Sequence, residues 1–321
     1  MNGWDDDQSP QVASVPKHLA SCRLDRAATL LFPEYSRSLL SHWIREGRLT
    51  LDGSQALPKH KVSEGDRLTL VPDQVRIASE VAPEPIPLNI VHEDEDILLL
   101  DKPPGLVVHP GAGHLEGTLM NGLLHHRPAL RSLPRAGLVH RLDADTSGLL
   151  LVAVSARAYK TLVADIEARR VGREYQALVE GCMISGGDFD APIGRHPTHR
   201  TRQAVRSDGR RALTSVRVRE RYSAHSRVAA RLHTGRTHQI RVHLSHAGFP
   251  LLGDRKYGAR GLLPKSPTPA LVTAIRGCTR HMLHAEKLSF QHPLDEAPME
   301  FSSSPPEDMA QLIEVLRQDA A

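Results

Sequence analysis

Apolar residues recur along this chain at two spacings, helical and strand-like, and the balance between them shifts part of the way along. Near the N-terminus Leu24, Ala27, Ala28 and Leu31 fall three and four apart, as on one face of a helix. Phe32-Pro33 ends that run, because proline has no N–H to donate and its ring clashes with the preceding turn. Ser36 predicts the N-cap of a second helix carrying Leu39, Leu40, Trp43 and Ile44, and Gly47 suits the left-handed position past its end. Leu49-Thr50-Leu51 then runs into the turn pair Asp52-Gly53, and Leu68 to Val71 predicts a further short strand. So few elements in so short a stretch predict a compact unit with little core of its own.

Past Val81 the pattern becomes strand-like. The segment VAPEPIP (81–87) holds three prolines and predicts a stiff linker. Strands are predicted at Ile97 to Leu100, closing on the turn Asp101-Lys102-Pro103-Pro104-Gly105, and at Gly148 to Val154, an unbroken apolar run that implies burial on both faces. Others are predicted at Tyr175 to Val179, Leu213 to Arg221 and Val228 to Leu232. Ser155 predicts a cap for a helix with Tyr159, Leu162, Val163 and Ile166. Thr237 predicts a cap for one carrying Ile240, Leu244 and Ala247, with Gly248 past its end. A last amphipathic helix, Glu307 to Gln318, turns Met309, Leu312, Ile313 and Leu316 to one side. The predicted class is α+β with a mostly antiparallel sheet. The predicted organisation is a disordered acidic tail (1–16), a small α/β domain (17–80), the proline linker (81–87) and a larger domain (88–321).

Composition narrows the class without naming a function. At 321 residues two domains are expected, and 40% hydrophobic with 24% charged residues is ordinary for a globular protein. No apolar run approaches the ~20 residues needed to span a bilayer. The first residues lack the basic and apolar regions of a signal peptide, so a cytoplasmic location is expected. Three widely spaced cysteines without a CxxC pair speak against a disulfide framework or a cysteine-based zinc site. The net charge of +4 hides an uneven distribution. Between Arg195 and His243 thirteen arginines face only Asp208 and Glu220, an excess of eleven positive charges that leaves −7 for the remainder. Such a concentration suggests a polyanionic partner, and arginine's planar fork fits phosphate and stacks on bases. The plain alternative is a solvated arginine-rich surface.

Two polar clusters could carry chemistry. In GLVHRLDADTSG (137–148), apolar strand residues flank a loop with His140, Arg141, Asp143, Asp145, Thr146 and Ser147. HTGRTHQIRVH (233–243) leads from a strand into a helix. His238 and His243 within it and His246 just beyond it invite a metal reading, but no carboxylate or cysteine joins them locally, and no metal is expected. There is no G-x-S-x-G elbow, Walker loop or dinucleotide-binding glycine fingerprint, so hydrolase, NTPase and dehydrogenase readings lack support.

HRLDADTSG resembles the catalytic motif of the RluA family of pseudouridine synthases, in which the aspartate of HRLD is the nucleophile; here that is Asp143. Asp101-Lys102-Pro103-Pro104-Gly105, Arg173-Glu174-Tyr175 and GRTHQIRVH resemble the other family motifs. Residues 20 to about 80, with RLD at 23–25 and SRS at 36–38, resemble the S4 RNA-binding domain fused to some members. The resemblance implies a pseudouridine synthase type of fold. It also implies an isomerase acting on 23S ribosomal RNA, at uridines of the helix 69 stem-loop. It puts Arg241 beside Asp143, Tyr175 against the uracil as a candidate to remove the C5 proton, and Arg141 in the space left by an extruded nucleotide. Arg236 and His238, together with Arg37, Arg45 and Arg48 of the S4-like unit, are the expected RNA contacts. Ala144 stands where this subfamily often has lysine, removing one possible phosphate contact.

The chemistry asks for such residues independently of the resemblance. Making pseudouridine breaks the N1–C1′ bond, rotates the uracil and joins C5 to C1′, with no net oxidation and no added group. No cofactor or metal is therefore expected. The chain is expected to be a monomer. One ionised carboxylate is needed, as nucleophile or to take a sugar proton. An adjacent guanidinium favours that charged form. The alternatives are a related synthase acting on another ribosomal or transfer RNA site, and a non-catalytic RNA-binding assembly factor. Intact Asp143, Tyr175 and Arg241 argue against the latter.

Overall fold

The computed structural model describes residues 10–33, 35, 37–72, 81–111, 116–199 and 201–320. Ser36 and most of the acidic tail lie outside them. The chain forms two compact units. The first takes in the N-terminal part to Ile86 together with His109–Ala136; the second takes in Pro87–Val108 and everything from Gly137 onward.

The first unit opens with a strand, β1 (Gln11–Ser14). The tail expectation is corrected there, because these residues pair antiparallel with a strand far along the sequence. Helix α1 (Leu24–Leu31) and helix α2 (Arg37–Arg45) follow, then β2 (Leu49–Leu51) and β3 (Arg67–Leu70). The sheet order is β1-β3-β2. Asp52 and Gly53 both adopt left-handed backbone conformations, at φ 49° and 76°, which the turn after β2 requires. Leu24, Ala27 and Ala28 of α1 and Leu39, Leu40, Trp43 and Ile44 of α2 are buried with Leu49, Leu68 and Leu70 of the sheet. The expectation of little core is therefore corrected: residues 15 to 70 close a hydrophobic cluster of their own. Val81 to Ile86 form no regular element, but Ala82 accepts a hydrogen bond from the side chain of Asn121 on helix α3 (Leu119–His126).

The second unit is built on one nine-stranded sheet. Its strands are β4 (Ile90–Glu93), β5 (Ile97–Lys102), β6 (Ser147–Ala153), β7 (Gly172–Glu180), β8 (Gly187–Asp190), β11 (Leu213–Arg221), β12 (His225–Leu232), β13 (Leu283–Gln291) and β14 (Pro298–Ser302). They run in the order β4-β5-β6-β13-β7-β12-β11-β8, with β14 on β13. Every pairing is antiparallel except β6 with β13, so the α+β, mostly antiparallel class holds. All seven residues of β6 are buried, which is why its sequence is an unbroken apolar run. A separate ribbon pairs β9 (Ile193–Arg195) with β10 (Gln203–Val205).

Helix α4 (Ala156–Glu167) begins as predicted, with Ser155 accepting the Ala158 N–H. Helix α5 (Gln239–His246) does not start on Thr237. Its N-cap is His238, held in the left-handed conformation at φ 57°, and the following residues take helical geometry from there. Helices α6 (Pro269–Gly277) and α7 (Glu307–Ala320) bury Leu271, Ile275, Met309, Leu312, Ile313 and Leu316 beneath Leu178 of β7.

Candidate active site

The site assembles entirely within the second unit, where one loop and one helix present opposite charges. Asp143 sits on the loop leading into β6. Arg241 lies in the first turn of α5 and is 6% exposed. The Arg241 guanidinium donates from Nη1 to Asp143 Oδ2 at 2.8 Å. Its other edge grips Asp254, with Nε to Oδ2 at 2.7 Å and Nη2 to Oδ1 at 2.9 Å. One buried guanidinium thus bridges two carboxylates, and Asp254, only 2% exposed, fixes its plane. Sequence reasoning missed Asp254. Its signal is weak, a lone acid in GDRKYG between two apolar segments.

His238 is the next neighbour. Its Nε2 lies 3.9 Å from Asp143 Oδ1, and its Nδ1 shares a 2.6 Å hydrogen bond with the Tyr257 hydroxyl. The Gln203 N–H donates to that same oxygen at 2.8 Å, which leaves the Tyr257 proton free to point at His238 Nδ1. A neutral imidazole so held carries its own proton on Nε2, on the side of Asp143. The Tyr257 ring also stacks under Arg241, with the guanidinium carbon 5.0 Å from its centroid. Tyr257 is thus a second residue without a sequence signal.

Burial by itself would raise the Asp143 carboxyl, but the positive charge around it wins and holds it well below the usual carboxylate range. His238 is pushed down to about 4 and His281 to about 4, first by burial and despite the Asp143 charge. Both are neutral near pH 7. The charge that keeps Asp143 ionised there is therefore that of Arg241.

The loop is clamped at successive residues. Buried Lys102 donates from Nζ to the carbonyls of Pro103, Leu106 and Ala144 at 2.8, 3.0 and 2.7 Å. Arg280 donates to the Asp145 carbonyl at 3.1 Å and is itself held by Asp308. Thr146 meets His281 at 2.8 Å and Ser147 meets His284 at 3.0 Å. His140, pushed down to about 3 by burial, accepts the Leu151 N–H at 2.9 Å and ties the loop's start to β6. The loop can hold Asp143 in one geometry because its neighbours have no freedom.

Tyr175 is buried on β7, and burial raises its phenol, against the pull of Arg173 and with the push of Asp143. Arg141 is exposed on the loop two residues before Asp143. Arg236 donates from Nε to the Arg211 carbonyl at 3.2 Å. In the first unit, Arg37 pairs with Asp25 at 2.9 Å and Arg48 lies 3.8 Å from Glu46. Arg45 lines an open groove of about 680 Å³ with Gln55, Ala56, Leu57, Lys59 and His60. The three histidines of α5 and its cap do not converge: His243 turns inward to Thr214 and the Ala191 carbonyl, while His246 is exposed. Among the described residues no group of three or more His, Cys, Asp or Glu side chains is placed to hold a metal ion.

The structure also changes the reading of the arginine-rich segment. Arg219 pairs with Glu174 and Glu286, and Arg241 with Asp143 and Asp254, all acids outside the segment. Arg227 pairs with Glu220 and Arg206 with Asp208. Much of the local excess is neutralised by folding, and Arg195, Arg217 and Arg231 remain exposed.

Residues 96–246, which hold both the Asp143 loop and Arg241, match the family model described as RNA pseudouridylate synthase. The chain is 48% identical over 319 residues to a Xanthomonas campestris protein named ribosomal large subunit pseudouridine synthase D, covering 98% of this chain and 95% of that one. Proteins of the same name from Pseudomonas aeruginosa and Escherichia coli K12 are 48% and 44% identical, each covering at least 94% of both chains. Among solved structures, human RNA pseudouridylate synthase domain containing 4 superposes with a TM-score of 0.56 at 25% identity, covering 71% of this chain and 93% of that one. Its domain containing 1 counterpart gives 0.53 at 27%, covering 72% and 95%. With the family match spanning both the Asp143 loop and Arg241, and relatives aligned along nearly the whole sequence, the chain belongs to the RNA pseudouridylate synthase family.

Proposed function

We propose that this protein converts uridines of 23S ribosomal RNA, in the helix 69 stem-loop, to pseudouridine, with Asp143 as the nucleophile. The observation that carries the proposal is the 2.8 Å contact between Asp143 and a guanidinium whose other edge is locked by Asp254. It keeps a carboxylate ionised and aimed, which is the one group the isomerisation requires. The ribosomal target follows from the relatives, which share the synthase D name along nearly their full length.

The uridine must first leave its stack, at a cost of about a few kcal/mol. Arg141, exposed beside the loop, fills the vacated space. Asp143 then attacks C1′ or takes a proton from the sugar, and the N1–C1′ bond breaks. The freed uracil rotates and C5 joins C1′, displacing the Asp143 carboxylate or, in the other route, with Asp143 returning the sugar proton; the C5 proton then departs and N1 gains one. Tyr175, kept protonated by burial, packs against the rotating base more readily than it removes the C5 proton. His238 and Arg236, on the segment that delivers Arg241, contact the RNA near the site.

Residues 17–80 serve as an S4-like RNA-binding domain, with Arg45 and Lys59 of its open groove, together with Arg37 and Arg48, as phosphate contacts. The protein works in the cytoplasm as a single chain, on RNA or its assembly precursors. The decisive experiment is Asp143→Asn, assayed for RNA binding and for pseudouridine in a synthetic helix 69 hairpin. Binding within a few-fold of wild type is expected together with no product; turnover near wild type refutes the nucleophile. Mapping pseudouridine in ribosomal RNA from cells with and without the protein tests the target, and unchanged helix 69 uridines refute it.

A further inference from the structure

Two residues before Tyr175 on β7, Arg173 is 7% exposed, yet its Nε has no hydrogen-bond partner. No carboxylate among the described residues forms an ion pair with it. The arginines around it are treated differently. Glu174, on the opposite face of the strand, is matched by Arg219, and Arg241 is gripped by two acids. A buried guanidinium with no counter-charge is costly, and burial lowers its affinity for its proton. Folding alone gives no reason to keep it there.

Its surroundings supply one. Arg173 and Tyr175 share a face of β7, and Tyr175 feels the Asp143 charge. Gly235 lets the guanidinium lie against the loop that leads to His238 and Arg241, since a Cβ there would stand 3.0 Å from Arg173 Nη1. The Arg173 charge also bears on His140, three residues before Asp143. The cation therefore lies against the loop that carries Gly235 and shares its strand face with Tyr175, close enough to the Asp143 loop for its charge to reach His140.

We propose that Arg173 is the binding residue for a phosphodiester of the extruded nucleotide, its guanidinium being left without a carboxylate so that the substrate supplies the anion. A phosphodiester fits better than a uracil carbonyl because a full charge is what the site lacks, and the planar fork of arginine can meet two phosphate oxygens at once. This inference rests on the proposed synthase activity.

The test pairs Arg173→Met and Arg173→Lys with synthetic helix 69 hairpins carrying one neutral methylphosphonate at each linkage around the target uridine. In the wild type, one linkage should stand out, its neutral form lowering kcat/KM by about 10-fold or more. Arg173→Met should lose about the same factor on unmodified RNA and show no further loss at that linkage. Arg173→Lys, a charge without the fork, should recover part of the rate. A purely structural arginine would behave otherwise, so melting is measured too. Because Arg173→Met removes an unpaired buried charge, its Tm should match or exceed that of wild type. A lower Tm, or a methylphosphonate penalty identical in wild type and Arg173→Met at every linkage, overturns the proposal. If wild type makes no pseudouridine in unmodified hairpins, the synthase reading itself has failed, and that arm separates the two.

Discussion

At the scale of single residues, the site is a set of charges whose balance depends on burial. Asp254 touches no reacting atom in this arrangement, yet it determines where Arg241 points. Asp254→Asn should lower kcat with little change in KM, by up to ~100-fold, because a misplacement of about 1 Å at a catalytic group has that effect. It should also cost about 3 kcal/mol of stability, since a buried guanidinium loses a partner. A Tm and kcat equal to wild type would show that Asp143 alone suffices to orient Arg241. The histidines set the pH response. His281 is lowered to about 4 and His140 to about 3 from the ordinary 6.5, so between those values and 6.5 the unfolded chain binds protons that the native one refuses. Stability is therefore full above about 6.5 and falls as pH drops towards 4, by up to about 1.4 kcal/mol per pH unit for each buried histidine. Thermal melts at pH 7, 6 and 5 should show the decline, and His281→Asn should make it shallower. A Tm independent of pH in this window would contradict the assignment. Asp143 and Arg241 were legible in the sequence because each lies in a motif with a chemical reason. Asp254 and Tyr257 were not, because their partners are distant in sequence and the contact exists only after folding.

At the scale of elements, the loop before β6 is held by β5, β6 and β13. Gly148, at φ 108°, pairs with Ala285 of β13 at close range: a Cβ there would meet the Ala285 oxygen at 2.3 Å and its nitrogen at 2.7 Å. Backbone atoms cannot give way as a side chain can. Gly148→Ala should therefore disrupt the parallel pairing and destabilise the protein by several kcal/mol, roughly the cost of a severe core defect. A variant that melts like wild type would mean that β6 and β13 can separate without loss. Lys102→Met should leave three loop carbonyls without their donor, at about 1–3 kcal/mol each, and slow turnover through a loosened Asp143; unchanged kcat would show the loop holds itself. Helices with periodic apolar faces, such as α1, α2, α4 and α7, were readable from the sequence, as were the apolar strands β5 and β6. The start of α5 was not. Thr237 has the right chemistry for a cap, but the contacts of the His238 ring with Tyr257 and Asp143 accompany a left-handed His238 that moves the helix start by one residue.

At the scale of the whole molecule, charge and folding units shape how RNA is held. The arginine-rich segment still implies salt-dependent binding, because Arg195, Arg217 and Arg231 stay exposed after folding. RNA affinity should fall steeply with salt, and Arg195→Gln with Arg217→Gln should reduce the slope of log affinity against log salt by roughly 0.7–0.9 per arginine. A flat response in the wild type would place these arginines away from RNA. Removing residues 1–80 takes out a stretch that closes its own core, so the remainder should still isomerise a short hairpin with weaker or broader selection; a complete loss of turnover would contradict that independence. The sequence alone determined the class of fold, the strands and helices whose periodicity encodes their burial, and the two polar clusters from which Asp143 and Arg241 come, because local pattern and residue chemistry are written in neighbouring positions. Tertiary structure alone decided which acids cancel which arginines, that Asp254 locks the Arg241 guanidinium, and that Arg173 is buried without a counter-charge. Ion pairing depends on distance in space, and residues tens of positions apart acquire that distance only when the sheet brings their strands together.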